Sequence, residues 1–219
     1  LFVTPRERYL ESLLFGRPDK FTLTPGHPRE STLETWRQQG LPEGADYYET
    51  ALGLLGLKPE AKRKMPGLDV SFKMMPQFEE KFLEHRDGHY VVQDWMGAVT
   101  EISDRFDYTY IRSAKDFVTR KWHKFPVESR QDWEDMAWRY DPKTPGRHPG
   151  DLDARCEALK DRDDVLRIHF NGPFWQLREW LCLENLCTMT VDDPDFVQEM
   201  IDFWINFVSE TMAPVLARL

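Results

Sequence analysis

His169 and Asn171 are the polar residues whose setting most invites chemistry. They stand in the run Arg167-Ile168-His169-Phe170-Asn171-Gly172-Pro173-Phe174-Trp175. A short apolar and β-branched stretch, Val165 to Phe170, stops at Asn171-Gly172, and Pro173 opens an amphipathic segment. That order predicts a strand, a glycine turn and a helix with proline in its first turn. In α/β proteins the chemistry gathers where strands run out at their carboxyl ends. An imidazole there can serve as acid, base or ligand near neutral pH, and a carboxamide can hold a ligand. The competing readings are structural: a core histidine satisfied by a carbonyl, and an asparagine that only makes the turn.

Other polar groupings carry less. Cys182 and Cys187 lack the spacing of a structural zinc pair, and on apolar helical stretches a free cysteine behaves as a small hydrophobe. Asp193 before Pro194 reads as a helix N-cap. Asp161-Arg162-Asp163-Asp164 lacks the alternating ligands and sharp-turn glycine of a calcium loop. Arg178 and Glu179 read as solvated helix charges. No phosphate loop, dinucleotide fingerprint or nucleophile elbow is present in the sequence.

The elements that must position these groups follow from pattern. Thr4-Pro5-Arg6-Glu7 is a capping box with proline at the first helical position, and Gly16 ends that helix. Ser31 with Glu34 reads as a second capping box leading a helix through Leu33 and Trp36 to Gly40. A third helix is predicted from Tyr47 to Leu55. Leu68 to Met74 reads as a strand. Asp87-Gly88 between Phe82-Leu83 and Tyr90-Val91-Val92 signals a hairpin, with Met96-Gly97 turning into Val99 to Ile102. Ser129 caps a helix carrying Trp133 and Met136, Asp141 to Gly150 is a Pro/Gly-rich loop, and Asp151 to Lys160 is a helix. After Asp193-Pro194, the stripe Val197, Met200, Ile201, Trp204, Phe207 and Val208 is spaced for one buried face.

The chain has 219 residues, a formal net charge of -9 and 13% aromatic residues. The acidic balance argues against nucleic acid or an anionic membrane as partner. Lys62-Arg63-Lys64 is a short basic cluster that reads as a solvated turn. No apolar run approaches the roughly 18–20 residues of a membrane span. Three cysteines without a regular framework fit a reducing, cytoplasmic setting. Leu1 at the start, and a helical pattern still running at Leu219, read as a chain cut at both ends.

Several of these segments together resemble the uroporphyrinogen decarboxylase superfamily. Thr4-Pro5-Arg6-Glu7-Arg8-Tyr9-Leu10 with Gly16-Arg17-Pro18-Asp19-Lys20 is similar to its amino-terminal signature. Phe170-Asn171-Gly172-Pro173-Phe174, with Glu184-Asn185-Leu186 and Asp193-Pro194, resembles its internal βα junction and long helix. Ser31-Thr32-Leu33, Trp36-Arg37 and Gly40-Leu41-Pro42-Glu43 are similar to its uncharacterised and methyl-transfer branches.

The resemblance implies an α/β fold, a (β/α)8 TIM barrel present as an incomplete amino-terminal part. Residues 1–60 would form an N-terminal helical extension, and 61–219 the first part of the barrel with a β-hairpin insertion. It implies His169 as a catalytic group, with Asn171, Trp180 and Arg29 binding substrate. Arg29 lies in Pro25-Gly26-His27-Pro28-Arg29-Glu30, where the decarboxylases carry an arginine-rich loop. An ungapped match through Phe170 puts Trp180 where they carry a tyrosine, and a one-residue shift puts Glu179 there. Fewer guanidinium groups means fewer bidentate carboxylate contacts. The resemblance therefore points to methyl transfer linked to a corrinoid carrier protein, with zinc ligands beyond Leu219. Uroporphyrinogen decarboxylation of a tetrapyrrole is the alternative, and a non-catalytic fragment or binding module is a second.

Overall fold

The computed structural model describes residues 3–20, 26–58, 67–107 and 119–219. The Lys62-Arg63-Lys64 cluster lies outside them. The chain divides into two compact units, one of residues 1–65, 109–118 and 162–166, the other of 66–108, 119–161 and 167–219.

In the first unit, Thr4 caps α1 (Pro5–Leu13) as a full capping box with Glu7, and Pro5 opens the helix. Arg8 reaches from α1 to Asp19 in a two-pronged ion pair, Nε to Oδ1 at 2.6 Å and Nη2 to Oδ2 at 2.9 Å. The Arg8 guanidinium holds the Asp19 carboxyl down to about 2. The two stretches of the amino-terminal signature are thereby tied together by one fork. α2 (Glu30–Gln38) starts one residue before Ser31, with Arg29 as an N-cap that makes no side-chain capping bond. Ser31 and Glu34 thus lie inside the helix instead of forming its box. Asp46 caps α3 (Tyr47–Leu54) through the N–H groups of Tyr48 and Glu49.

The second unit holds a sheet of four antiparallel strands, β1 (Lys81–Arg86), β2 (His89–Gln93), β3 (Val99–Ser103) and β4 (Arg120–Lys124), in that spatial order. Asp87 and Gly88 join β1 to β2 with φ of 49° and 73°. Two successive positive φ values match the strand twist in a two-residue hairpin. The β2–β3 turn is built by Asp94, whose Oδ1 accepts from the N–H of Met96 and Ala98. Gly97 has φ of 86°, and an added Cβ would meet the Phe78 ring at 3.1 Å.

Asp94 is 8% exposed, and burial holds its carboxyl above the usual value of 3.8 despite those hydrogen bonds. A carboxyl with a raised folded pKa favours the fold while protonated. Its contribution is full below 3.8 and is lost as pH rises through the folded value. Asp94→Asn keeps the acceptor and removes the charge. It should raise the thermal midpoint relative to the parent at pH 7. The gap should close on acidification; a melting series in which it widens instead refutes the assignment.

The same unit holds α4 (Arg130–Ala137), a 3-10 turn (Trp138–Tyr140), α5 (Leu152–Ala158), α6 (Pro173–Leu181), α7 (Leu183–Asp192) and α8 (Pro194–Leu216), with α6, α7 and α8 packed on one another. Ser129 caps α4 and Asp193 caps α8. Val197, Met200, Trp204 and Phe207 of α8 enter one core with Trp133, Met136, Tyr140, Leu177 and Trp180; Ile201 and Val208 pack at its margin. No described helix is long and apolar enough to cross a membrane.

This architecture corrects the barrel expectation. All described ladders are antiparallel, whereas a (β/α)8 barrel needs parallel strands joined by helical crossovers. Neither expected barrel strand pairs as a strand, and in the first Asp69 has a φ of 48°. In Leu68 to Met74, the Ser71 N–H donates to the Arg147 carbonyl, and the carbonyls of Ser71 and Lys73 accept from the Arg147 guanidinium. A loop and a buried cation take the backbone groups that a neighbouring strand would have used.

Candidate functional site

One cavity in the second unit, of about 590 Å³, collects most of the chemistry. Its size falls in the usual range for small-molecule sites. One wall is the stretch Asp69 to Lys73, another is His169-Phe170-Asn171, a third comes from Gln176 and Glu179, and Trp95, Met96, Tyr140 and Trp204 complete it.

Each wall has a local cause. Gly172 is the N-cap of α6 and Pro173 its first residue, as the sequence predicts. Gly172 is itself extended, so Asn171 stands just before the N-cap. Its carbonyl accepts from Trp204 Nε1 at 2.8 Å, and its Nδ2 donates to Gln176 Oε1 at 3.0 Å. Gln176 and Glu179 are three residues apart on α6 and share a face. The opposite wall is fixed by Arg147, and by Arg155, which donates to the Gly67 carbonyl at 2.9 Å and to the Asp69 carboxylate. Phe72 and Phe170 meet across the cavity with ring centroids 5.2 Å apart.

The charges in the cavity are arranged in an unusual way. Lys73 Nζ lies 5.6 Å from the centre of the Trp95 ring, a cation over an aromatic face. Neither Lys73 nor Glu179 has an ion-pair partner among the described residues. Asp69, by contrast, is neutralised by Arg155. Burial pushes the Tyr140 hydroxyl up to about 12, so it stays protonated at neutral pH, and its oxygen accepts from Trp180 Nε1 at 3.1 Å. His169 is exposed at the cavity wall. Chemically, the site can hold a small molecule against rings, with one cation, one anion and an imidazole at its edge.

Of the residues singled out from sequence, His169 and Asn171, two apart in the chain, both line this cavity. Trp180 is not; it is fully buried behind the wall, against Trp133, Tyr140 and Trp204. Arg29 lies in the first unit, exposed at a separate cavity of about 1160 Å³ beside His27, Arg37 and Tyr47. Glu179, read from sequence as a solvated helix charge, lines the cavity, while Arg178 lies over the Trp175 ring at 4.4 Å. Lys73, Trp95 and Tyr140 were not legible as site residues, because they come from three separate stretches of chain with no shared motif. The i, i+3 relation of Gln176 to Glu179 was the one available signal.

Cys187 is exposed and Cys182 half-buried, with Cys182 Sγ accepting from the Glu184 N–H at 3.3 Å. The packing expectation thus fits neither fully, and only Cys156 is buried. No group of three or more histidine, cysteine or acidic side chains among the described residues could hold a metal ion. Comparison of the chain with family models, with curated proteins and with solved structures finds no match.

Proposed function

We propose that the chain takes part in methyl transfer linked to a corrinoid carrier protein, and that the cavity at His169 holds the small methyl donor. Two things support the reading: the sequence resemblance set out above, and the convergence of His169 and Asn171 on one small-molecule cavity. The second carries it: the stretch chosen from sequence lines a cavity of small-molecule size, beside Gln176 and Glu179 of the following helix.

A reduced corrinoid would supply the nucleophile that accepts the methyl group. The cavity is sized for a small donor and not for a macrocycle, so the carrier would approach from outside. The described residues do not form a zinc site, and no step is assigned to zinc. What this chain's own residues do is bind and orient. Aromatic walls exclude water from the donor, Asn171 and Gln176 lock each other's amides, and His169 offers an imidazole to a polar atom of the substrate.

The test is transfer itself. Purified chain, a reduced free corrinoid and a panel of methylated amines, ethers and thiols should give the absorbance change of cobalt methylation with at least one donor. His169→Ala should slow that transfer about 10- to 100-fold, the range of a lost orienting contact. Carbon dioxide release from uroporphyrinogen, with no corrinoid methylation, would overturn the proposal in favour of the decarboxylase.

A further inference from the structure

We infer that the cavity selects a zwitterionic donor, a quaternary ammonium joined to a carboxylate by a short linker. This rests on the methyl-transfer reading for the word donor, but the binding claim stands on the cavity alone.

Lys73 and Glu179 line the same small space, and neither has an ion-pair partner among the described residues. They are also too far apart to pair with each other, since no contact within 4.0 Å joins them. Lys73 is exposed and Glu179 half-buried, so the lining offers one cation and one anion to an incoming ligand. A ligand carrying both opposite charges answers both. An anion alone would answer Lys73 and leave Glu179 repelling it; a cation alone would do the reverse.

The walls decide the kind of cation. Phe72 and Phe170 present aromatic carbon away from the Lys73 ammonium, and a quaternary ammonium, unable to donate hydrogen bonds, is recognised by aromatic rings and a nearby carboxylate. A primary ammonium would need three acceptors, and Glu179 is the one unpaired carboxylate of the lining. The carboxylate end falls to Lys73, with a ring N–H of His169 as a second donor.

The same chemistry suits a methyl donor. When an N–CH3 bond of a quaternary ammonium breaks, nitrogen keeps the electron pair and leaves as a neutral tertiary amine. The methyl group passes to the electron pair of the reduced corrinoid, and no proton from the protein is required.

The experiment is titration of the purified full chain, followed by calorimetry and by tryptophan fluorescence, with three probes. Glycine betaine carries both charges. 3,3-Dimethylbutanoate is its carbon isostere without the cation, and choline lacks the carboxylate. Betaine should bind at least tenfold more tightly than either. Glu179→Gln should weaken betaine about tenfold and leave 3,3-dimethylbutanoate unchanged or improved. Lys73→Met should weaken betaine similarly and spare choline. Both positions are at the cavity surface, and circular dichroism of each variant checks folding.

Equal affinity for betaine and its carbon isostere, or no betaine binding, overturns the inference. Corrinoid methylation from some other donor would leave the methyl-transfer reading intact in that case. Betaine binding without any transfer would sink the reading and keep the inference.

Discussion

Arg147→Met should lower folding stability by about 3–5 kcal/mol, although no ligand touches the residue. Arg147 is fully buried. Its guanidinium donates to four backbone carbonyls: Asp141 through Nε at 2.6 Å, Lys73 and Ser71 through Nη1 at 2.6 and 3.2 Å, and Arg139 through Nη2 at 2.9 Å. The Phe207 ring lies 4.6 Å from its central carbon. Burial lowers its pKa, yet arginine stays charged, so a cation is held by carbonyl dipoles and a ring face.

Methionine fills similar space and supplies no donor. The Asp141 and Arg139 carbonyls keep other partners, the N–H groups of Thr144 and Met75. The Ser71 and Lys73 carbonyls have none among the remaining described residues. Two acceptors facing the buried guanidinium lose their donors, at about 1–3 kcal/mol each, and with the lost packing of Arg147 set the size of the effect. Arg147→Lys should fall between, because one ammonium cannot span four carbonyls. Urea denaturation measures the loss through its midpoint, and a change under about 1 kcal/mol would refute this account. The loss also reaches function: Ser71 to Lys73 is a cavity wall, so any donor binding should weaken in the same variant.

Arg147 shows where sequence reading stops. Helix starts were legible because a cap is local: Thr4 with Glu7, Asp193 before Pro194, and Gly172-Pro173 each act within four residues. The β1–β2 hairpin was legible for the same reason, since Asp87-Gly88 sets its own positive φ values. β4 was missed because Arg-Lys-Trp-His-Lys alternates nothing apolar; it is a strand only because β3 pairs with it.

The two expected barrel strands failed in the opposite way. Leu68 to Met74 and Val165 to Phe170 have the composition of buried strands, but a strand is made by its partner. In the first of these, a side chain 76 residues away from Ser71 takes the carbonyls. The site behaves likewise. His169 and Asn171 were found because they flank a local junction. Lys73, Trp95 and Tyr140 join them only through tertiary packing, which no spacing in the sequence encodes.

Trp180 is the second large effect, and it separates a core role from a binding one. Its ring is fully buried, with centroids 5.2 Å from Trp133, 5.4 Å from Tyr140 and 5.6 Å from Trp204, and its carbonyl accepts from the Val127 N–H at 3.0 Å. Truncation to alanine removes that packing and leaves a void, so Trp180→Ala should lose about 3–5 kcal/mol. Trp180→Phe keeps most of the ring area but removes the donor to Tyr140. It should lose about 1–2 kcal/mol.

Because Trp180 stands behind the cavity wall and Glu179 stands on it, the two neighbours should divide cleanly. Trp180→Phe should move the denaturation midpoint and change betaine affinity less than about twofold. Glu179→Gln should change affinity about tenfold and leave the midpoint nearly fixed, as surface substitutions usually do. The reverse pattern would mean that Trp180 contacts the ligand directly, and the ungapped alignment of this segment, with Trp180 in the substrate-binding position, would then hold after all.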